Sequence, residues 1–222
     1  MNKLRNMLIV AASVVLLSSN AFAGSFGLGV GGHAASVSAD GSESGHGGGT
    51  KSATAGNDFM FGSVFAEYNM GSNEQFTLGI DYIPGSVDVN RKTLKRTDPA
   101  SGDANDTAGD RSANAEISDH ITYYADLVLG AGIYAKLGFA QVDIESNEKS
   151  TGSGTTGAYP NKTLDAWTYG VGQKGEIGSN GFYKVEGYIT DYDSYNARST
   201  TGNTVSANLD LVGASLKFGY KF

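Results

Sequence analysis

The chain is 222 residues long, with 32 Gly, 12 Tyr, 10 Phe, one Trp, no Cys and a formal charge of −7. Net acidity argues against a nucleic-acid ligand, the absence of Cys removes disulfides and thiolate metal sites, and the length suits one domain. Beyond the N-terminus no run of 18 apolar residues occurs, so the sequence encodes no membrane-crossing helix.

Residues 1–6 carry Lys3 and Arg5, residues 7–17 are almost entirely apolar, and Ala21-Phe22-Ala23 is a small-x-small cleavage site. This is the layout of a secretory signal peptide over residues 1–23. Its apolar part is too short for a hydrocarbon core, which needs about 20 residues. Cleavage leaves residues 24–222 as one domain and, with Lys3 and Arg5 gone, takes the formal charge from −7 to −9.

From Ser25 the pattern becomes β-strand. Phe26, Leu28 and Val30 alternate with Gly27, Gly29 and Gly31, and glycines facing a narrow interior would leave room for larger neighbours. Ser38–Asn57 reads as a flexible polar loop. Asp58–Met70 is the second strand, with Ser63 and Glu67 inward and Val64, Ala66 and Tyr68 outward. After a short turn, Gln75–Asp88 sets Phe76, Leu78, Ile80 and Tyr82 against Thr77, Gly79 and Asp81, and Pro84 marks a bulge or an exit from pairing. Val89–Glu116 is hydrophilic and aperiodic, a loop with strand extensions at its ends.

Ile117–Leu129 alternates Ile121, Tyr123, Ala125 and Leu127 against Thr122, Tyr124 and Asp126. A tight turn at Gly130–Gly132 leads to Ile133–Glu145, with Lys136 inward and a slip in the pattern near Gln141 that predicts a bulge. Ser146–Thr163 is a further loop. Leu164–Gly178 opposes Trp167, Tyr169, Val171 and Ile177 to Lys174 and Glu176, and Asn180-Gly181 is a hairpin signal. Phe182–Tyr192 places Lys184, Glu186 and Tyr188 inward and Tyr183, Val185 and Ile189 outward. After the loop Asp193–Thr204 comes the C-terminal stretch Asn208–Phe222, which alternates strictly from Val212 onward and points Lys217 inward. Leu209 and Leu211 are out of step with it, which predicts a second bulge near Leu211 and Val212.

Eight strands joined by alternating long and short connections predict an all-β, eight-stranded, antiparallel up-and-down transmembrane β-barrel with long extracellular loops and short periplasmic turns. A basic side chain facing lipid at mid-bilayer costs about 2–4 kcal/mol, so the polar face lines the lumen. Glu67, Asp81, Asp126, Glu176 and Glu186 then meet Lys136, Lys174, Lys184 and Lys217 there, and a lumen just wide enough to be filled by side chains is closed by their ion pairs. The aromatics cluster at strand ends. Phe26, Tyr68, Phe76, Tyr183, Tyr220 and Phe222 mark the periplasmic interface, and Tyr82, Tyr123, Trp167 and Tyr169 the outer one.

With its signal peptide, alternating strands and terminal Gly219-Tyr220-Lys221-Phe222, the chain resembles the small eight-stranded outer-membrane β-barrel families of Gram-negative bacteria, the OmpA-like, OmpX-like and opacity-type surface proteins of the porin family. Tyr220 and Phe222 fit the terminal assembly signal of that class, although Lys217 stands at its glycine position. The resemblance implies a monomer in the bacterial outer membrane, surrounded by lipid and lipopolysaccharide, with the C-terminal strand read by the barrel-assembly machinery.

Chemistry is sparse. Ser118 and His120, two apart on a strand, would share a face, but no third group completes a catalytic set, so no enzyme and no cofactor are expected. Asp98, Asp103, Asp106 and Asp110 lie in a Gly-containing stretch without the calcium-loop spacing, and Arg91, Lys92, Lys95 and Arg96 could meet lipopolysaccharide phosphates. The leading expectation is a charge-plugged barrel serving envelope structure and surface contact. The rivals are a porin-like conduit for small solutes, a side-exit path for apolar ones, and a loop-mediated adhesin.

Overall fold

A computed structural model describes residues 24–45, 49–71, 73–89, 94–98, 109–151, 158–200 and 202–222. The signal-peptide residues, 1–23, lie outside this set. The described residues contain ten strands: β1 (Gly24–Ser44), β2 (Thr50–Met70), β3 (Phe76–Asp88), β4 (Leu94–Asp98), β5 (Gly109–Gly130), β6 (Ile133–Thr151), β7 (Lys162–Ile177), β8 (Gly181–Tyr192), β9 (Tyr195–Arg198) and β10 (Thr204–Lys221). Eight of them form an antiparallel ring in the order β1-β2-β3-β5-β6-β7-β8-β10, closed by β10 pairing with β1. The short strands β4 and β9 are side pieces on β5 and β10. Closure removes the sheet edges that hydrocarbon could not solvate.

The ring is staggered. From Leu28 the paired residues run through Ala66, Ile80, Tyr123, Phe139, Trp167, Asp191 and Asp210 and return to β1 at Ser38, ten residues further along. A stagger of this kind requires strands tilted by roughly 35–45° from the barrel axis. Both described chain ends lie with the turns β2–β3, β5–β6 and β7–β8.

Several loops of the sequence reading are strand. Of the expected loop Ser38–Asn57, only residues 45–49 lie outside β1 and β2, whose ladder continues to Ser44–Thr50. The hydrophilic stretch Val89–Glu116 includes the β4–β5 hairpin, in which Asp98 and Asp110 sit in the ladder, whereas Arg91, Lys92, Asp103 and Asp106 lie outside the described residues. Lys95 and Arg96 are in β4. In the β1–β2 extension the outward positions are Ser38, Asp40, Ser52, Thr54 and Gly56, which form no apolar stripe. The turn before β8 is Gly178–Asn180, and its positive φ falls on Gly178 (65°) rather than on Asn180.

The expected bulge at Pro84 is present, with a register shift against β5 between Ile83 and Ser86 and Gly85 at φ 96°. The one expected near Gln141 sits on the facing strand instead. Strand β6 pairs regularly with β7 throughout, while β5 slips between Ser118 and Ile121, with Asp119 at φ 52°. The one expected near Leu211 and Val212 is absent, since β10 pairs without a break with β1 and, from Asp210, with β8. Leu209 and Leu211 point into the barrel.

Their reversed phase belongs to a pattern shared around the ring. Towards the chain ends, the outward residues are apolar: Leu28 and Val30, Leu127 and Leu129, Leu137, Val171, Val185, Leu216 and Phe218 are all exposed. Further up the outward residues turn polar, with Asp58 two residues beyond Met60, Asp165 beyond Trp167, Asp191 beyond Ile189 and Asp210 beyond Val212. At the same level the inward residues turn apolar. Ala35, Val37, Ile117, Ala140, Val142, Ile144, Leu164, Ala166, Tyr192, Leu209 and Leu211 form one buried cluster, with Phe59 and Phe61 against it. The lower barrel therefore has its greasy side outward, and the upper barrel is built like a water-soluble one.

Candidate functional site

The lower lumen is filled by ion pairs. Lys184 Nζ, from the middle of β8, donates to Glu67 Oε2 at 2.9 Å and to Asp126 Oδ2 at 2.5 Å. Lys136 pairs with Glu186, and Lys217 with Asp81. Lys174 Nζ donates to Asn69 Oδ1 at 2.6 Å and Glu67 Oε1 at 3.3 Å. Four carboxylates thus face four ammonium groups. A charge in a low-dielectric interior is tolerated when paired and further hydrogen-bonded, and here tyrosines supply the further bonds. Tyr124 OH donates to Glu67 Oε2 at 3.0 Å and Tyr134 OH to Glu186 Oε2 at 2.9 Å. The ring of Tyr124 also lies 4.2 Å below Lys136 Nζ and 5.0 Å from Lys184 Nζ, within cation–π range.

Glycine makes room for these rings. Tyr124 lies against Gly79 and Tyr134 against Gly172, where an added methyl would stand 2.5 Å from the Tyr134 hydroxyl. Phe65 covers Gly29 in the same way, so the inward glycines of the first strand do leave space for larger neighbours.

Above the ion pairs lies a neutral polar layer. His33 Nε2 is 2.9 Å from Ser63 Oγ and Nδ1 is 3.0 Å from Tyr188 OH, while Phe61 stacks on the ring at 4.7 Å. Thr168 and Thr190 hydroxyls bond each other at 2.9 Å. The apolar cluster then covers this layer. Near the outer tip, Tyr159 OH and Asn203 Nδ2 both donate to Glu43 Oε1, at 2.7 and 3.2 Å, tying the segments before β7 and β10 to the end of β1.

At the other mouth the β2–β3 turn folds across the opening. Glu74, at φ 48°, accepts from Ser25 Oγ at 2.8 Å, from Lys221 Nζ at 3.0 and 3.2 Å, and from Lys174 Nζ at 3.2 Å. Burial raises the Glu74 carboxyl, but the hydrogen bonds from Lys221 and Ser25 and the charge of Lys174 outweigh it and hold it below the usual glutamate value. Lys221 continues to Glu176 at 2.9 Å.

Of the charges expected in the lumen, Glu67, Asp81, Asp126, Lys136, Lys184, Glu186 and Lys217 are buried together and Lys174 closes their lower edge. Glu176 is the correction, because its side chain is 73 % exposed on the rim. It is the last inward position of β7 before the turn, where the tilted strand has already left the lumen. Phe26, Tyr68, Phe76, Tyr183, Tyr220 and Phe222 are placed towards the chain-end side of the belt, and Tyr82, Tyr123, Trp167 and Tyr169 towards its upper edge. Ser118 and His120 do not share a face, because His120 follows the inward parity of Thr122, Tyr124 and Asp126 while the surplus residue Asp119 turns Ser118 to the outer side. Asp119 instead accepts from Tyr82 OH at 3.0 Å.

The sequence reading missed the lumen roles of His33, Tyr134 and Asn69 and the reach of Glu74. Tyr134 and Asn69 carry the strand parity of Lys136 and Glu67, and His33 that of the inward glycines Gly27, Gly29 and Gly31, which is the signal that could have found them. Glu74 carries no such signal, since its direction depends on the turn.

No protein-family model and no curated protein sequence matches the chain. Among solved structures, Neisserial surface protein A is similar at 13 % identity over 86 % of this chain and 97 % of that one, with a TM-score of 0.37. The outer membrane protease OmpT from Escherichia coli is similar at 8 % identity over 92 % of this chain and 100 % of that one, with a TM-score of 0.47. The outer membrane protein AlkL is similar at 14 % identity over 92 % and 93 % of the two chains, with a TM-score of 0.46.

Proposed function

We propose that the protein is an integral outer-membrane β-barrel, present as one copy, whose closed lumen serves envelope structure while its upper barrel makes contact at the cell surface. The observation that carries this reading is the neutral ion-pair layer, four acids against four lysines with Tyr124 and Tyr134 filling the gaps. Moving a solvated ion through it would require breaking buried pairs, each costing several kcal/mol when one partner is lost. The apolar cluster above adds a second, dry seal.

The lipid-facing belt and its flanking aromatics suit acyl chains and lipopolysaccharide. The C-terminal strand, ending in Tyr220 and Phe222 with rings 5.1 Å apart, suits recognition by the assembly machinery. A porin-like conduit is disfavoured by both seals, and the role is structural rather than catalytic. Purified protein refolded into planar bilayers and into liposomes tests the reading. The closed barrel predicts no steady single-channel steps and no osmotic swelling with small sugars, and steady conductance at neutral pH would overturn it.

A further inference from the structure

Between the ion pairs and the apolar cluster lies a cavity of about 30 Å³ lined by His33, Asp81, His120, Lys136, Glu186 and Lys217, among others. That volume holds about one or two water molecules. Its wall carries polar atoms that no protein group satisfies. Both ring nitrogens of His120 are buried without a partner, as is Asp81 Oδ1, the oxygen not taken by Lys217. Buried polar atoms in that condition call for water or a proton-bearing partner. His120 keeps the inward parity of Thr122, Tyr124 and Asp126, and the bulge at Asp119 turns Ser118 outward just above it.

We propose that this cavity is a proton- and water-binding site, in which water bridges His120 to Asp81 at neutral pH and uptake of protons by His33 and His120 on acidification opens the lumen to ions. Each step is the addition of one solvent proton to a neutral imidazole, leaving an imidazolium. His33 is prepared for it, since both its partners are hydroxyls, Ser63 and Tyr188, and a hydroxyl can rotate to accept from a ring that has become a donor at both nitrogens. Protonated His120 has Asp81 to donate to, in competition with Lys217. The groups facing the cavity are His33 on β1, Asp81 on β3, Tyr124 on β5, Lys136 on β6, Glu186 and Tyr188 on β8 and Lys217 on β10, while β7 offers only the hydroxyl of Thr168. Tyr192 on β8 meets the His120 ring edge-on at 6.0 Å, and β2 contributes Ser63 and Phe61 through His33. The ion-pair layer below is balanced, so one or two added positive charges beside Lys136 and Lys217 repel those lysines and weaken their pairs, and an imidazolium against Tyr192, at the underside of the apolar cluster, draws water into the second seal.

The inference rests on a lumen closed at neutral pH, and one experiment separates the two. Current is recorded through refolded protein in planar bilayers from about pH 7.5 to about pH 3.5. The range extends well below the ordinary histidine titration so as to reach imidazoles buried in a cavity shared with Lys136 and Lys217. The expected result is a closed barrel at the upper pH and a several-fold rise in mean current at the lower. Steady current already at the upper pH defeats the closed barrel, whereas a closed barrel with no rise on acidification defeats the proton site. His33→Gln and His120→Gln should each reduce the rise and the double variant abolish it; an undiminished rise in the double variant also overturns the proposal. Should the variants fail to refold, imidazole nitrogen NMR of the wild-type barrel decides, because two ring charge changes are required within that pH range and their absence is a refutation.

Discussion

Val37 and Leu211 stand opposite each other on β1 and β10 and both point into the barrel, while the neighbouring pair below them, Ser36 and Val212, points out. Leu211 is 7 % exposed and Val212 58 %, yet no break in pairing separates them. Two apolar residues in sequence therefore serve two solvents, Leu211 an interior above the membrane and Val212 the lipid below. Because the chain lacks cysteine, single cysteines report this directly. At positions 208–212, thiols at Asn208 and Asp210 should react quickly with a water-soluble maleimide, and those at Leu209 and Leu211 slowly. Val212→Cys should yield only to a lipid-soluble reagent. Leu211→Ala should in addition lower unfolding stability by about 2–5 kcal/mol, as for other buried leucines. Two adjacent positions labelling alike would restore the bulge.

The same relationship explains what the sequence discloses. Strand alternation and the inward charges of the lower barrel were legible, because lipid outside and a packed lumen inside impose opposite polarity on successive residues. The upper barrel was not, because alternation specifies two faces without saying which faces the core. At Leu209, Leu211 and Gln141 the apolar phase reverses where the outer solvent changes from lipid to water, and reversal in a regular strand has the same sequence signature as an inserted residue. Ser38–Asn57 was read as loop for a related reason, since Ala39 and Ala55 are too small to show a stripe. The inward direction of His120 follows the parity of Thr122, Tyr124 and Asp126, whereas the outward turn of Ser118 was out of reach, as it depends on a bulge at Asp119 whose sequence signal lay on the neighbouring strand.

Lys184 is the keystone of the ion-pair layer, since its ammonium group alone joins Glu67 on β2 to Asp126 on β5 across the lumen from β8. Lys184→Ala leaves both carboxylates short of a buried partner, a change that typically costs about 3–5 kcal/mol. The variant should refold with a clearly lower urea midpoint and should leak ions in the bilayer assay, and Lys136→Ala should leak likewise through Glu186. Lys221→Ala, on the half-open rim, should change stability far less and conductance not at all. A tight, fully stable Lys184→Ala barrel would show that the layer is not the seal.

Asp119 is the surplus residue of β5. Ser118 pairs with Asp143 and Ile121 with Gln141, so Asp119 and His120 together oppose Val142. Deleting Asp119 would let His120 pair with Val142 and leave every residue above it on its present face. The deletion should therefore fold to the same barrel, with a thiol at Ile117→Cys still protected from water-soluble reagent. Deleting Gln141 from the regular strand β6 should instead throw each following residue to the opposite face and abolish folding. Equal effects of the two deletions would contradict the assigned register.

Glu74 connects stability to pH at the rim. Its carboxyl is held below the glutamate value of 4.5 expected in the unfolded chain, by Lys221, Ser25 and Lys174 acting against burial. A carboxyl depressed in the folded state contributes stability that is fully present above the unfolded value and is lost as pH falls through the folded one. Wild-type protein should accordingly lose part of its resistance to urea below about pH 4.5, and Glu74→Gln should remove that component while lowering stability at neutral pH. Because the group is partly exposed, the loss should shrink in high salt. Paired urea titrations of the two proteins at neutral and acid pH, with low and high salt, measure the difference. Parallel pH profiles for the wild type and Glu74→Gln would show that the turn lies across the mouth without latching it.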